Sequence, residues 1–178
     1  GGPAGSTTAR YAAENGISVL VIDARDSIGT PLQCGELVPT NDEMRRLCPK
    51  VPDMDDLFQT PEKAISRRCS KMSIITPSGK SLVYDFDGYV LNRVAHDEAL
   101  VELAKSKGAK FITNSFVEDI TGNQVKIRNG ATYTAKVIVG SGGHNDPLRR
   151  KFWKEKSVNI PVKFELKQGD YGENVELH

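Results

Sequence analysis

A glycine turn, a helix and an apolar strand closed by an acid follow one another in the first 23 residues, GGPAGSTTARYAAENGISVLVID. A helix is predicted over AGSTTARYAAENG, with Ala4, Thr8, Tyr11 and Ala12 on its packed side and Gly16 as its stop. SVLVID is a continuous apolar run, the pattern of a strand buried on both faces of a parallel sheet. Gly2 and Gly5 have the spacing of the second and third glycines of G-x-G-x-x-G, with Gly1 at the position before Gly2. In that motif the missing side chains let the backbone approach a pyrophosphate at a helix N-terminus. The first glycine and the strand before it are expected to be missing from this stretch. Such a site also needs an acid for ribose hydroxyls about 20 residues on. Asp23 closes the strand 18 residues after Gly5.

The rest of the chain narrows the chemistry by exclusion. Its 178 residues are 38% hydrophobic and 26% charged with a net charge of +1, so charge gives no argument for nucleic acid binding. No apolar run approaches the ~20 residues that span a bilayer, and no secretory leader is read at the start. The three cysteines, Cys34, Cys48 and Cys69, form no CxxC pair and have no histidine at metal-ligand spacing. No metal site is expected, and a reducing cytoplasm is the simpler setting. No GxSxG elbow supports a serine hydrolase.

Further along, residues 42–70 read as short helices between loops. KMSIITPSGKSLVYDF predicts a hairpin around Pro-Ser-Gly. NRVAHDEALVELAKSKGA predicts an amphipathic helix with Val94, Leu100, Val101, Leu103 and Ala104 in its stripe and Gly108 at its end. KFITNSF predicts a strand, and TGN and RNG divide the next segment into a small meander. KVIVG predicts one more buried strand leading into a second glycine turn, and VNIPVKFELK another strand. The basic stretch LRRKFWKEK fits either a solvated face or an interfacial helix with Leu148, Phe152 and Trp153 toward lipid.

Four segments, in order, resemble the flavoprotein geranylgeranyl reductases, especially the archaeal digeranylgeranylglycerophospholipid reductases. They are GPAG at the glycine turn, QCGE against R/K-x-C-G-[ED], YVLNRVAHD against Y-x-L-x-R-x-x-x-D, and VGSGGHNDPLRR where the family carries A-D-G-x-x-S-x-x-R. Gln33 stands where a basic residue is common, and Gly142 where the family usually has an aspartate.

The resemblance implies an α/β fold: an FAD-binding, Rossmann-like domain of the p-hydroxybenzoate hydroxylase type with a small β-meander. It further implies a partial FAD-binding domain over residues 1–150 and the beginning of a substrate domain over 151–178. FAD would be held by Gly2, Pro3, Ala4 and Gly5, by Asp23, Ala24 and Arg25, by Cys34 and Gly35 near the flavin ring, and by Arg93, Val117 and Gly143. Cys34 is the weak candidate for a chemical role. The activity implied is saturation of isoprenoid double bonds in membrane ether lipids or their precursors. It needs an electron donor, either a reduced pyridine nucleotide or a ferredoxin, and places the protein in the cytoplasm with a peripheral membrane contact left open. Two alternatives stay open: a related monooxygenase or quinone-linked dehydrogenase, and an incomplete fragment without activity of its own.

Overall fold

A computed structural model of the chain describes residues 1–32, 34–143, 146–153 and 174–177. They fall into two compact units, Gly1–Leu32 with Asp97–Val162, and Gln33–His96 with Lys163–His178.

The first unit begins with α1 (Pro3–Glu14), which ends where Gly16 adopts φ +76°, a conformation glycine takes without strain. The buried side of α1 is Gly5, Ser6, Ala9, Arg10 and Ala13. This corrects the expected face: Ala4 and Thr8 are exposed, and Tyr11 and Ala12 are half-buried. Small residues at Ala9 and Ala13 let the helix lie close to its neighbours. They form a core with Ala104 and Ala109, and Val19, Val21 and Phe111 pack against it.

Strands β1 (Leu20–Ile22) and β5 (Lys110–Ile112) run parallel, pairing Val21 with Phe111. The ladder continues past their ends: Lys110 N–H donates to Val19 O at 3.0 Å, and Asp23 N–H to Ile112 O at 2.9 Å. Helix α4 (Arg93–Ser106) precedes β5 and buries Asp97, Leu100, Val101 and Ala104. Val94 and Leu103, expected in that stripe, are half-buried.

The expected meander is present as an antiparallel sheet of β6 (Val117–Thr121), β7 (Gln124–Ile127) and β8 (Thr132–Thr134). Its turns use Gly122 at φ +57° and Gly130 at φ +92°, and Ile120, Val125 and Ile127 fill its inner face. The strand expected at KVIVG is not formed. Residues 136–140 lie outside any strand, with Val137 77% and Val139 58% exposed. The physical reason is pairing. An apolar strand needs neighbours for its backbone groups, and among the described residues the parallel sheet consists of β1 and β5.

Helix α5 (Pro147–Trp153) covers the first part of the basic stretch, with Leu148 half-buried and Phe152 71% exposed. Its Lys151 lies 3.6 Å from the Asp119 carboxylate. The rest of that stretch, and the strand expected at VNIPVKFELK, lie outside the described residues.

The second unit is built on a hairpin of β3 (Ile65–Ile75) and β4 (Ser81–Leu91), longer at both ends than the sequence pattern indicated. Gly79, at φ +79°, makes its turn, and Thr76 N–H donates to Lys80 O at 2.9 Å. Strand β2 (Leu37–Pro39) pairs antiparallel with β4, and β9 (Asn174–Leu177) pairs parallel with β3. Short helices α2 (Asn41–Leu47) and α3 (Met54–Leu57) occupy the ambiguous region. Thr40 caps α2, accepting Glu43 N–H at 3.2 Å, while its hydroxyl donates to Asp87 at 2.9 Å. Among the described residues no helix is long and apolar enough to cross a membrane.

Candidate functional site

The N-terminus of α1 is built without side chains. Gly2 is its cap in an extended conformation (φ −77°, ψ −179°), and Pro3 begins the helix, where its lack of an N–H costs nothing. Ser6, fully buried, donates its hydroxyl to Gly1 O at 3.2 Å and its N–H to Gly2 O at 2.9 Å, fixing the turn. No acidic side chain occupies the first turn, so the positive end of the helix dipole is left uncompensated from within.

Asp23 leaves the end of β1 toward this turn. Its side chain is 10% exposed, and Arg25 grips it three times: backbone N–H to Oδ1 at 2.9 Å, Nε to Oδ1 at 3.0 Å, Nη2 to Oδ2 at 2.7 Å. The amino group of Gly1 stands 2.8 Å from Oδ2. Burial by itself would raise the Asp23 carboxyl, but the side-chain and backbone bonds from Arg25 lower it. The group is therefore held well below the usual carboxylate range. The Arg25 guanidinium is pushed up in turn, chiefly by its bond to Asp23 and, after desolvation, by attraction to Asp23 and Asp97.

The sign for stability follows. A carboxyl lowered in the folded state contributes stability in full above its unfolded value, about 3.9. That contribution is lost as pH falls below it. Urea midpoints measured from pH 5 to pH 2 are expected to fall more steeply for the wild type than for Asp23→Asn. Parallel curves would show that this carboxylate is not held as described.

The site draws on one more loop. A methyl group at Gly5 would stand 2.7 Å from Ser141 Oγ, so the second glycine turn sits against the start of α1. Gly143 in that turn has φ +67°. Nearby, Asp146 is buried, accepts Gly142 N–H at 2.6 Å and Arg149 N–H at 3.1 Å, and so caps α5. A side chain at Gly142 would meet that carboxylate, at 2.9 Å from Oδ2.

The structure thus brings together Gly2, Pro3, Ala4, Gly5, Asp23 and Arg25, and adds Ser6 and Ser141, which the sequence reading missed. Ser6 immediately follows Gly5 and Ser141 immediately follows Gly140, so adjacency to the two glycine turns was the available signal. Ala24 is exposed between Asp23 and Arg25, and Val117 opens β6 opposite Ile127. Cys34, Gly35 and Arg93 belong to the second unit. There Cys34 Sγ accepts Glu36 N–H at 3.3 Å, Gly35 is exposed, and Arg93 is the first residue of α4. Among the described residues no cluster of His, Cys, Asp and Glu could hold a metal ion.

A family model for the NAD(P)-binding Rossmann-like domain matches residues 1–45, the stretch containing α1, β1 and Asp23. Digeranylgeranylglycerophospholipid reductase 1 of Methanococcoides burtonii is 32% identical over 163 residues, covering 84% of this chain and 37% of its own. The crystal structure of a geranylgeranyl bacteriochlorophyll reductase-like protein from Thermoplasma acidophilum superposes with a TM-score of 0.55 at 30% identity, over 72% of this chain and 33% of that one.

Over the matched stretch this chain is similar to the geranylgeranyl reductases. It spans about a third of the length of these relatives. A protein of similar length also matches: the uncharacterized protein in the nifH2 5′ region of Methanosarcina barkeri is 35% identical, over 81% of this chain and 79% of its own. The fold is Rossmann-like, and α1 with β1 of the parallel β1–β5 pair lies in the stretch that the domain model matches.

Proposed function

We propose that this chain forms the FAD-holding part of a reductase that saturates isoprenoid double bonds of geranylgeranyl lipids. The observation that carries the reading is the Asp23 carboxylate, kept ionised at the end of β1 beside a side-chain-free helix start. That pair matches the two polar parts of a dinucleotide, a ribose diol and a pyrophosphate. The residues present fit the group: space at Gly2 is open apart from Arg25 Nη2, 3.9 Å from where a methyl group would stand.

In this reading the N–H groups of Ala4 and Gly5 and the α1 dipole hold the pyrophosphate, and Asp23 accepts from the ribose. Val117 and Gly143, in the same unit, would complete the cradle. Bound FAD supplies the hydride equivalent. An isolated alkene also needs a proton at its second carbon and shelter from water, so substrate placement carries much of the catalysis. Residues 1–150 would serve the cofactor and 151–178 begin the substrate part. The electron donor would be a reduced pyridine nucleotide or a ferredoxin. The setting would be cytoplasmic, with peripheral access to membrane lipid.

Titration of the 178-residue chain with FAD and with FMN, followed by flavin fluorescence, tests the cofactor reading. FAD is expected to bind at least tenfold more tightly, because FMN lacks the adenosine ribose and the second phosphate. Equal affinities, or no uptake of FAD, would overturn it.

A further inference from the structure

We propose that Arg25 is a positioning residue for the Asp23 carboxylate, and that its main task is to hold that acid rather than to touch the cofactor. The inference rests on the FAD reading above and deepens it. The family resemblance places Arg25 among the residues that would hold FAD. In the structure its Nε, Nη2 and backbone N–H are all turned back onto Asp23, two residues earlier. A planar fork closing on both carboxylate oxygens fixes the plane of the acid as well as its charge.

The fork is itself anchored. Arg25 O accepts Asn114 N–H at 2.8 Å, and Asp23 O accepts Ser115 N–H at 2.9 Å, so both residues are tied to the segment after β5. Asp97, 3% exposed on α4, attracts the guanidinium from a second element. Among the described residues the charged side chain paired with Asp23 is thus the Arg25 guanidinium, with Asp97 attracting Arg25 in turn. Two of the three Arg25 bonds fall on Oδ1. Oδ2 points to the glycine turn, 2.8 Å from where a methyl group on Gly1 would stand. Oδ2, which takes the Arg25 Nη2 bond, is the oxygen on the side of the glycine turn, from which a ribose hydroxyl would approach. Without the fork a largely buried carboxylate would both rotate and take up a proton more easily.

The test compares wild type, Arg25→Gln and Arg25→Lys in the full chain, with FAD and FMN titrations from pH 5 to 8. Carbon-13 NMR follows the Asp23 carboxyl of the ligand-free chain over a wider range. Wild-type affinity for FAD is expected to stay level across that range. Arg25→Gln should bind FAD about tenfold more weakly at pH 7.5. Its affinity should drop further, approaching tenfold per pH unit, once the carboxyl begins to protonate. Arg25→Lys should keep a level profile without regaining full affinity, since an ammonium supplies charge but no fork. FMN binding should be unchanged in all three.

An Arg25→Gln profile parallel to wild type, with the Asp23 carboxyl titrating where it did before, overturns the proposal. So does an equal loss for FMN, which would mark a general disturbance of the fold. Should the wild type take up no FAD, the cofactor reading fails and the ribose role of Asp23 with it. The NMR titration then still decides whether Arg25 holds the acid.

Discussion

Gly88→Val is expected to destabilise the second unit by about 3 kcal/mol, at the upper end of what overpacking usually costs. Gly88 is buried in β4, opposite Pro39 of β2 and Cys69 of β3. A methyl group there would stand 2.8 Å from Phe86 Cζ and 2.7 Å from Val38 O. The Phe86 ring lies over the bare glycine from two positions earlier in the strand, so the missing side chain is the space it occupies. The ring could swing aside, but Val38 O is backbone. Moving it breaks the register that pairs Val38 with Tyr89. In a chain of this size each kcal/mol is worth roughly 2–4 °C, so the melting temperature should fall by about 10 °C. Hydrogen exchange at Leu37 and Val38 should quicken with it. Gly35→Ala is the control, because nothing lies within 4 Å of its added methyl. A Gly88→Val chain that melts within 2 °C of wild type would show that β2 adjusts freely.

This close approach was not legible in the sequence, and the reason is general. Local signals travel a few residues; contacts between strands do not. The helix stop at Gly16, the hairpin turn at Gly79 and the meander turns at Gly122 and Gly130 were all readable because a positive φ is decided locally. The three α4 residues Leu100, Val101 and Ala104 were readable because a helix period outlines its own buried side. The hairpin came out short in the sequence because its outer parts carry Arg67, Arg68 and Asp87, charged residues that hide the alternation, the last two at exposed positions. α1 was turned on its axis for a similar reason. Its buried face contains Ser6 and Arg10, polar residues that a hydrophobic pattern passes over.

The site divides in the same way. The glycine spacing and the acid at the strand end were legible, since both belong to one short stretch with a fixed separation. The contact between Gly5 and Ser141 joins residues 136 positions apart and was not. KVIVG shows the opposite failure. Its composition is that of a buried strand, yet composition supplies only a side-chain preference, and a strand exists when another backbone pairs with it. Arg25 shows a third kind. Its position beside Asp23 was visible, but whether a guanidinium turns outward to a ligand or back onto its neighbour depends on χ angles that no spacing encodes.

Asp23→Ala should have the largest effect on the cofactor site, with FAD affinity reduced about 100-fold, about 2.8 kcal/mol at 1.4 kcal/mol per decade. Two losses combine. The ribose loses its acceptor, and Arg25, whose side chain is 32% exposed, loses the group that holds it. Removing one partner of a fully buried ion pair costs 3–5 kcal/mol, because the other charge is stranded. Arg25 keeps partial access to water and the attraction of Asp97, so the stability loss should be nearer 1–2 kcal/mol. Asp23→Asn separates the two terms. The amide keeps the shape and one oxygen acceptor but turns an NH2 toward the Arg25 fork, so it should recover little of the stability. It can still accept one hydroxyl, so it should recover part of the affinity. FAD titration and urea unfolding of the three chains measure both quantities. If Asp23→Ala binds FAD within threefold of wild type while losing stability, the carboxylate serves the fold alone, and the ribose must be held elsewhere.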